Sequence, residues 1–163
     1  MPNTIIFGFS VAAGLLAWAT IFKTFVWPRL GTLPMQRRYE RLLSIHFFRY
    51  LGSVFLITGV TAHELPSGFA VPAVAGDLIA FALALLAFAA LRRSGGKQLQ
   101  NSLIWLFSVA GTLDLLAALT AGYLLIPDPG DFGAAYFIPT FYVPLLLVSH
   151  FYILRISLRP MRG

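Results

Sequence analysis

Residues 108–122 read SVAGTLDLLAALTAG, and this stretch places a single acid, Asp114, in the middle of a long apolar segment. The segment extends from about Leu103 to Ile126, and Asp114 is its only charged residue. Its length matches the ~20 apolar residues with which a helix crosses the ~30 Å hydrocarbon layer of a membrane. A charge inside such a span costs roughly 2.5–3.5 kcal/mol, so it usually has a partner or a function. The stretch therefore indicates a transmembrane helix and, with Asp114, a candidate site.

The composition of the whole chain agrees with that interpretation. Hydrophobic residues make up 58% and charged residues 11% of the 163 residues, against about 45–50% and about 25% in soluble domains. So few charges cannot cover a surface that faces water, which predicts an integral membrane protein. The chain has no cysteine, which excludes disulfides, thiolate metal sites and thiol redox chemistry.

The sequence predicts an all-α membrane protein whose single domain, residues 1–163, is a bundle of five transmembrane helices. The predicted spans are about 4–27, 42–62, 72–91, 101–126 and 134–157. Turn-forming or helix-stopping residues divide them, namely Trp27-Pro28, Leu65-Pro66-Ser67-Gly68, Ser94-Gly95-Gly96 and Pro127-Asp128-Pro129-Gly130. Pro34 also predicts the start of a cytoplasmic helix before span two, and Pro139 and Pro144 predict a bend in span five.

The charges in the connections predict the orientation. Basic residues lie in alternate connections and at the C-terminus: Arg29, Arg37, Arg38 and Arg41, then Arg92, Arg93 and Lys97, then Arg159 and Arg162. The other two connections carry only acidic charges, Glu64, Asp128 and Asp131. The positive-inside rule then places the N-terminus outside and the C-terminus in the cytoplasm, and we expect a bacterial cytoplasmic (inner) membrane. We therefore attribute the net charge of +6 to basic residues that set the topology and contact anionic lipid headgroups, rather than to binding of nucleic acid.

Ionisable residues from three spans are predicted to meet in the cytoplasmic half of the bundle. Arg49 lies about seven residues into span two, His150 about seven from the end of span five, and Asp114 about thirteen into span four. This predicts an Arg49–Asp114 pair with His150 nearby. His46 precedes Arg49 by three residues and shares its helical face, which Tyr50 and Ser53 are expected to extend. Alternatively, the pair only fixes helix register, or Arg49 snorkels to the headgroups.

Small residues predict which faces of spans three and four pack inward, because they allow helix backbones to approach closely in lipid. Asp114 shares a face with small residues of span four, and Asp77 shares one with small residues of span three. The members are Ala110, Gly111, Ala117, Ala118 and Ala121 in span four, and Ala73, Gly76, Ala80 and Ala84 in span three. Both acids are therefore expected to point into the bundle.

Three residues on the outer side are interpreted as interfacial groups. His63 and Glu64 lie in a connection, and Asp77 is expected about one turn into span three, where the helix dipole favours an acid. Three such residues do not make a metal motif, so no metal site is predicted. The sequence also has no phosphate-binding glycine loop, metalloprotease motif or nucleophile elbow. Enzymatic activity is therefore not expected from any recognised motif.

The leading functional prediction is a small polytopic protein that binds or moves a lipid-like or other hydrophobic small molecule within its bundle. The candidate ligand-binding or buried polar cluster is Arg49, Asp114, His150 and His46. One alternative is a redox subunit with haem b or quinone, in which His46 and His150 bind the cofactor. Another is a non-catalytic subunit or assembly factor whose small-residue faces bind other membrane chains. Besides membrane lipids, partners in a homo-oligomer or hetero-complex are expected.

Overall fold

The structure is a computed structural model that describes residues 3–93 and 96–158. All its regular elements in that part of the chain are helical. We label the helices α1 (Asn3–Gly31), α2 (Met35–Ile45), α3 (Ser67–Arg92), α4 (Lys97–Leu125) and α5 (Ile138–Ser157). A long 3₁₀-helix, His46–Leu56, continues α2, and a shorter one, Pro129–Tyr136, precedes α5.

Four of the described helices, α1, α3, α4 and α5, are long and apolar enough to cross a membrane. They correspond to predicted spans one, three, four and five, and most of them start before the predicted residue. Contrary to the expectation, Trp27-Pro28 does not stop the first helix, because α1 continues to Gly31. A π-helical turn, Phe22–Val26, precedes Pro28 and changes the hydrogen-bond ladder where proline lacks its N–H. The predicted turn at Ser94 and Gly95 lies outside the described residues.

Predicted span two is not a single α-helix over residues 42–62. The helix expected near Pro34 is confirmed, since α2 begins at Met35, but its α-helical part ends at Ile45. The chain then continues as an 11-residue 3₁₀-helix to Leu56, although 3₁₀ runs rarely exceed 3–4 residues. Residues 57–66 form turns, with an isolated bridge between Thr58 and Thr61. Sequence periodicity alone does not reveal such a switch of helix type.

Predicted span five is divided. The 3₁₀-helix Pro129–Tyr136 is interrupted at Gly133, and α5 begins with a π-helical turn, Ile138–Tyr142, that contains Pro139. The irregularity expected at Pro139 is therefore present, because proline lacks the N–H that a regular α-helix needs there. Pro144 follows the π-helical turn closely, as the second residue of the regular part, Val143–Ser157, so that here, as in α1, a π-helical turn precedes a proline that lacks its N–H in the regular ladder.

The basic and the acidic connections lie at opposite ends of the bundle. At the basic end, Gln36 donates to the Leu91 carbonyl at 2.8 Å, and Glu40 lies 2.8 Å from Arg37 and 3.8 Å from Arg92. At the acidic end, Asn3 donates to Asp128 at 2.8 Å. The backbone N–H of Gly130, and then this amide of Asn3, lower the pKa of Asp128. Arg159 and Arg162 lie outside the described residues.

The two larger of three apolar clusters lie toward opposite ends of the bundle, with a polar layer between them, and the third consists of Leu115, Val143 and Leu146. The cluster at the basic end includes Leu43, Phe107 and Ile153. The cluster at the acidic end includes Phe7, Phe55, Phe69 and Phe132, whose rings contact one another with centroids 5.3–5.9 Å apart.

We expect Gly133→Ala to lower the melting temperature more than Gly59→Ala does, in a scan of the detergent-solubilised protein. Both glycines have positive φ, +53° and +96°, so both variants suffer the cost of about 1–2 kcal/mol for a left-handed residue. A Cβ at Gly133 would also lie 2.6 Å from the Val60 carbonyl oxygen, whereas nothing lies within 4 Å at Gly59. An equal decrease of the melting temperature in both variants would show that the 3₁₀-helix Pro129–Tyr136 does not pack tightly against residues 57–66.

Candidate functional site

The long 3₁₀-helix places its polar residues in one line. Its buried residues are His46, Arg49, Gly52 and Phe55, which follow one another at intervals of three. A 3₁₀-helix has 3.0 residues per turn, so side chains at i and i+3 lie directly above one another. The prediction that Tyr50 extends the Arg49 face is wrong, because it assumed the α-helical period, and Tyr50 is exposed.

Arg49 is completely buried between two carboxylates. Its Nε donates to Asp77 Oδ1 of α3 at 2.9 Å, and its Nη2 lies 2.8 Å from the same oxygen in an ion pair. Nη2 also forms an ion pair with Asp114 Oδ2 of α4, and Nη1 lies 3.5 Å from the Gly111 carbonyl oxygen. The arginine side chain has no exposed surface, so it does not snorkel to the end of the bundle.

Three glycines make room for these side chains. A Cβ at Gly52 would overlap the Asp77 carboxylate, and a Cβ at Gly76 would overlap that of Asp114. A Cβ at Gly111 would lie 2.7 Å from the His150 ring and 3.3 Å from Arg49 Nη1. Gly76 and Gly111 belong to the predicted small-residue faces, which were expected to allow close approach of a neighbouring helix backbone. In the structure, the space beside these glycines is filled by charged and imidazole side chains.

The two histidines are fully buried and in contact beside Arg49. Their ring centroids are 4.3 Å apart, and the Phe107 ring lies 4.8 Å from each. Ser149 donates its single hydroxyl hydrogen to the Leu146 carbonyl, so it accepts from His46 Nε2 at 2.7 Å. His46 Nδ1 and both nitrogens of His150 have no hydrogen-bond partner, and unsatisfied buried groups of this kind are rare in proteins.

We call Arg49, Asp77, Asp114, His46 and His150 the central network. Of these, the sequence predicted Arg49, Asp114, His46 and His150, and the structure places them next to one another. Asp77 was not included in this network from the sequence, because it was placed about one turn into span three and interpreted as an interfacial group. It is in fact the eleventh residue of α3. One feature of the sequence could have indicated its membership: Asp77 shares the inward-facing small-residue face of its helix with Gly76.

A small cavity lies against the two carboxylates. Its volume is about 20 Å³, enough for one water-sized group, which needs ~10–15 Å³. Asp77 and Asp114 border it and keep 14% and 19% of their side chains exposed. The remaining wall is mostly apolar and includes the four phenyl rings of the acidic-end cluster, Phe7, Phe55, Phe69 and Phe132.

The geometry does not fit the haem hypothesis. Two axial imidazoles bind iron from opposite faces of a flat macrocycle, which must lie between them. The rings of His46 and His150 contact each other directly, so a porphyrin does not fit there. On the acidic side, Asp77 pairs with Arg49 rather than with His63 and Glu64, and the described residues contain no group of three potential metal ligands.

Comparison with known proteins identifies a family. The model of a domain of unknown function, DUF8737, matches residues 6–158. The chain belongs to this family. No curated protein and no solved structure matches the chain. The match covers all five members of the central network and assigns no activity to them.

Arg49→Met should cost about 3–5 kcal/mol of unfolding free energy, because it leaves two buried acids without a partner. Asp77→Asn and Asp114→Asn should each cost less, since Arg49 keeps one carboxylate partner in either variant. Chemical unfolding in detergent micelles measures these losses.

The matched control is Arg37→Met, since Arg37 is 57% exposed and pairs with Glu40. It should cost less than Arg49→Met does, because Arg37 is largely exposed and the buried Glu40 keeps Gln36 and Arg92 as partners. The losses of Arg49→Met and Asp114→Asn should also not add in the double variant. Additive losses, or an Asn variant as unstable as Arg49→Met, would contradict the assigned contacts.

Proposed function

We propose that this chain is a small polytopic membrane protein that binds a small molecule inside its helix bundle and assists its movement. The observation that carries this proposal is the asymmetry of the ion network. Arg49 is completely buried, whereas both of its acidic partners keep an exposed part next to the cavity. An ion pair that only fixes helix register gains nothing from such an opening, but a ligand can contact the carboxylates through it.

The walls and the volume of the cavity define what can enter. Phenyl rings and aliphatic side chains favour a hydrophobic molecule with one polar end. The volume of about 20 Å³ admits only a water-sized group, so a larger or lipid-like ligand requires the rings to rotate away. Ile138 and Pro139 of the π-helical turn also line the cavity, and π-helical turns are frequent at functional sites.

The proposed setting is a cytoplasmic membrane crossed five times, with the N-terminus outside. Four helices meet the length and hydropathy that a span requires. Residues 42–45 of α2 and the 11 residues of the long 3₁₀-helix give about 6 Å and about 22 Å, which together approach ~30 Å. Many large apolar side chains also face outward, among them Phe9, Leu16, Leu113 and Leu124, as expected for contact with lipid.

Assembly with other chains stays a prediction. The small-residue face of α3 is largely occupied within the chain, since Ala73, Ala80 and Ala84 are buried, whereas on the face of α4 Gly111 is buried and Ala117 is exposed. This observation argues against docking of other chains through the face of α3.

Ala118→Trp tests the ligand site, because Ala118 lines the cavity and an indole would fill it. Native mass spectrometry of the gently extracted wild-type protein should show a co-purifying small molecule, and Ala118→Trp should lose it. Ala117→Trp is the matched control, since Ala117 is the neighbouring residue and is exposed. Equal occupancy in both variants, or an empty wild-type protein, would refute the proposal.

Single cysteines test the topology, since the chain has no other cysteine. With the N-terminus outside, a membrane-impermeant maleimide applied to spheroplasts should label His63→Cys but not Thr32→Cys. Both positions are exposed, so a difference in labelling reports the side of the membrane. The proposed topology fails if Thr32→Cys is labelled before the membrane is permeabilised.

A further inference from the structure

The central network has one more negative than positive charge. With neutral histidines, it contains the guanidinium of Arg49 and the carboxylates of Asp77 and Asp114. Among the described residues, Arg49 is the only basic side chain that forms an ion pair with either acid. An uncompensated charge in an apolar interior is costly, so the network requires one further positive charge.

Two features of the network can accommodate that charge. The cavity beside the carboxylates has room for one water-sized group. On the other side of Arg49, His46 Nδ1 and both ring nitrogens of His150 are fully buried and without a partner. A neutral imidazole carries a lone pair that accepts a proton. The network therefore has unused positions both for a cationic group and for a proton.

We infer that the network binds one proton when the cavity holds no ligand, and that a protonated amine takes the place of this proton. The inference rests on the proposed function and names its ligand class. An ammonium group fits the volume next to Asp77 and Asp114 and donates charge-assisted hydrogen bonds to their free oxygens. Phe7, Phe55, Phe69 and Phe132 surround the same cavity, and aromatic rings attract organic cations.

The exchange conserves charge. In the unoccupied network, the additional proton resides on a carboxyl or imidazole group. When the ammonium group enters, the O–H or N–H bond to that proton breaks, the bonding electron pair stays on the oxygen or nitrogen, and the proton is released to water. One positive charge leaves for each one that binds, so the buried network stays neutral.

The groups that set the pH dependence come from every element around the network. His46 and Arg49 lie on the long 3₁₀-helix, Asp77 on α3 and Asp114 on α4. His150 lies on α5, as does Tyr142, whose hydroxyl donates to the Ile45 carbonyl at 3.1 Å. Because one proton competes with one ammonium group, amine affinity should rise up to about tenfold per pH unit while the network is protonated.

The test uses the purified full chain in lipid nanodiscs, with methylammonium and benzylammonium as probes. Methanol and benzyl alcohol are the neutral counterparts with the same carbon groups. A pH-indicator dye in weakly buffered solution measures proton release. At least one ammonium probe should release about one proton per chain in a saturable manner, and neither alcohol should release any.

Asp77→Asn and Asp114→Asn each make the network neutral, so proton release should disappear in both while circular dichroism shows a folded protein. Arg37→Met leaves the network unchanged and should behave as the wild type does. No release with either ammonium probe overturns the inference, as does equal release by Asp77→Asn. Binding of benzyl alcohol, together with no proton release by either ammonium probe, overturns the inference but keeps the proposed function, which fails separately if Ala118→Trp has no effect on co-purification.

Discussion

The buried guanidinium of Arg49 is the constraint on which the rest of the structure depends. It joins the long 3₁₀-helix to α3 through Asp77 and to α4 through Asp114. Breaking such a network by removing one partner is far more costly than replacing all its members together, because the remaining charge stays buried and unpaired. The contact thus specifies how three elements dock, and the three glycines around it, Gly52, Gly76 and Gly111, allow that docking.

The 3₁₀ conformation of residues 46–56 follows the same constraint. With 3.0 residues per turn, the buried face repeats at every third residue, so that Arg49 reaches α3 and α4 while His46, one turn earlier, contacts α4 and α5. An α-helix would rotate successive members of this series away from that face, since it has 3.6 residues per turn. A long 3₁₀ run has poorer hydrogen-bond geometry than an α-helix. The candidate site and the packing of the bundle therefore depend on the same helix.

The polar layer divides the two larger apolar clusters. The cluster at the basic end combines aliphatic side chains with Phe22, Tyr39, Phe107 and Tyr152, and it contacts the histidine pair through Phe107. The cluster at the acidic end is rich in phenylalanine and borders the cavity and the carboxylates. A ligand that enters the cavity therefore meets aromatic rings and acids together, whereas the unpartnered imidazole nitrogens lie behind Arg49. This arrangement links our proposals for the ligand and for the proton.

The sequence by itself determined the four long apolar helices, the segregation of basic and acidic connections, and the membership of Arg49, Asp114, His46 and His150 in one polar site. Composition, hydrophobic length and the cost of a buried charge suffice for those conclusions, because they depend on local chemistry. Only the tertiary structure decided that Asp77 is the second partner of Arg49 and that span two changes from α to 3₁₀ geometry. It also decided that the histidines contact each other. Those outcomes depend on which helices pack together, and a single sequence does not encode that pairing in any local pattern.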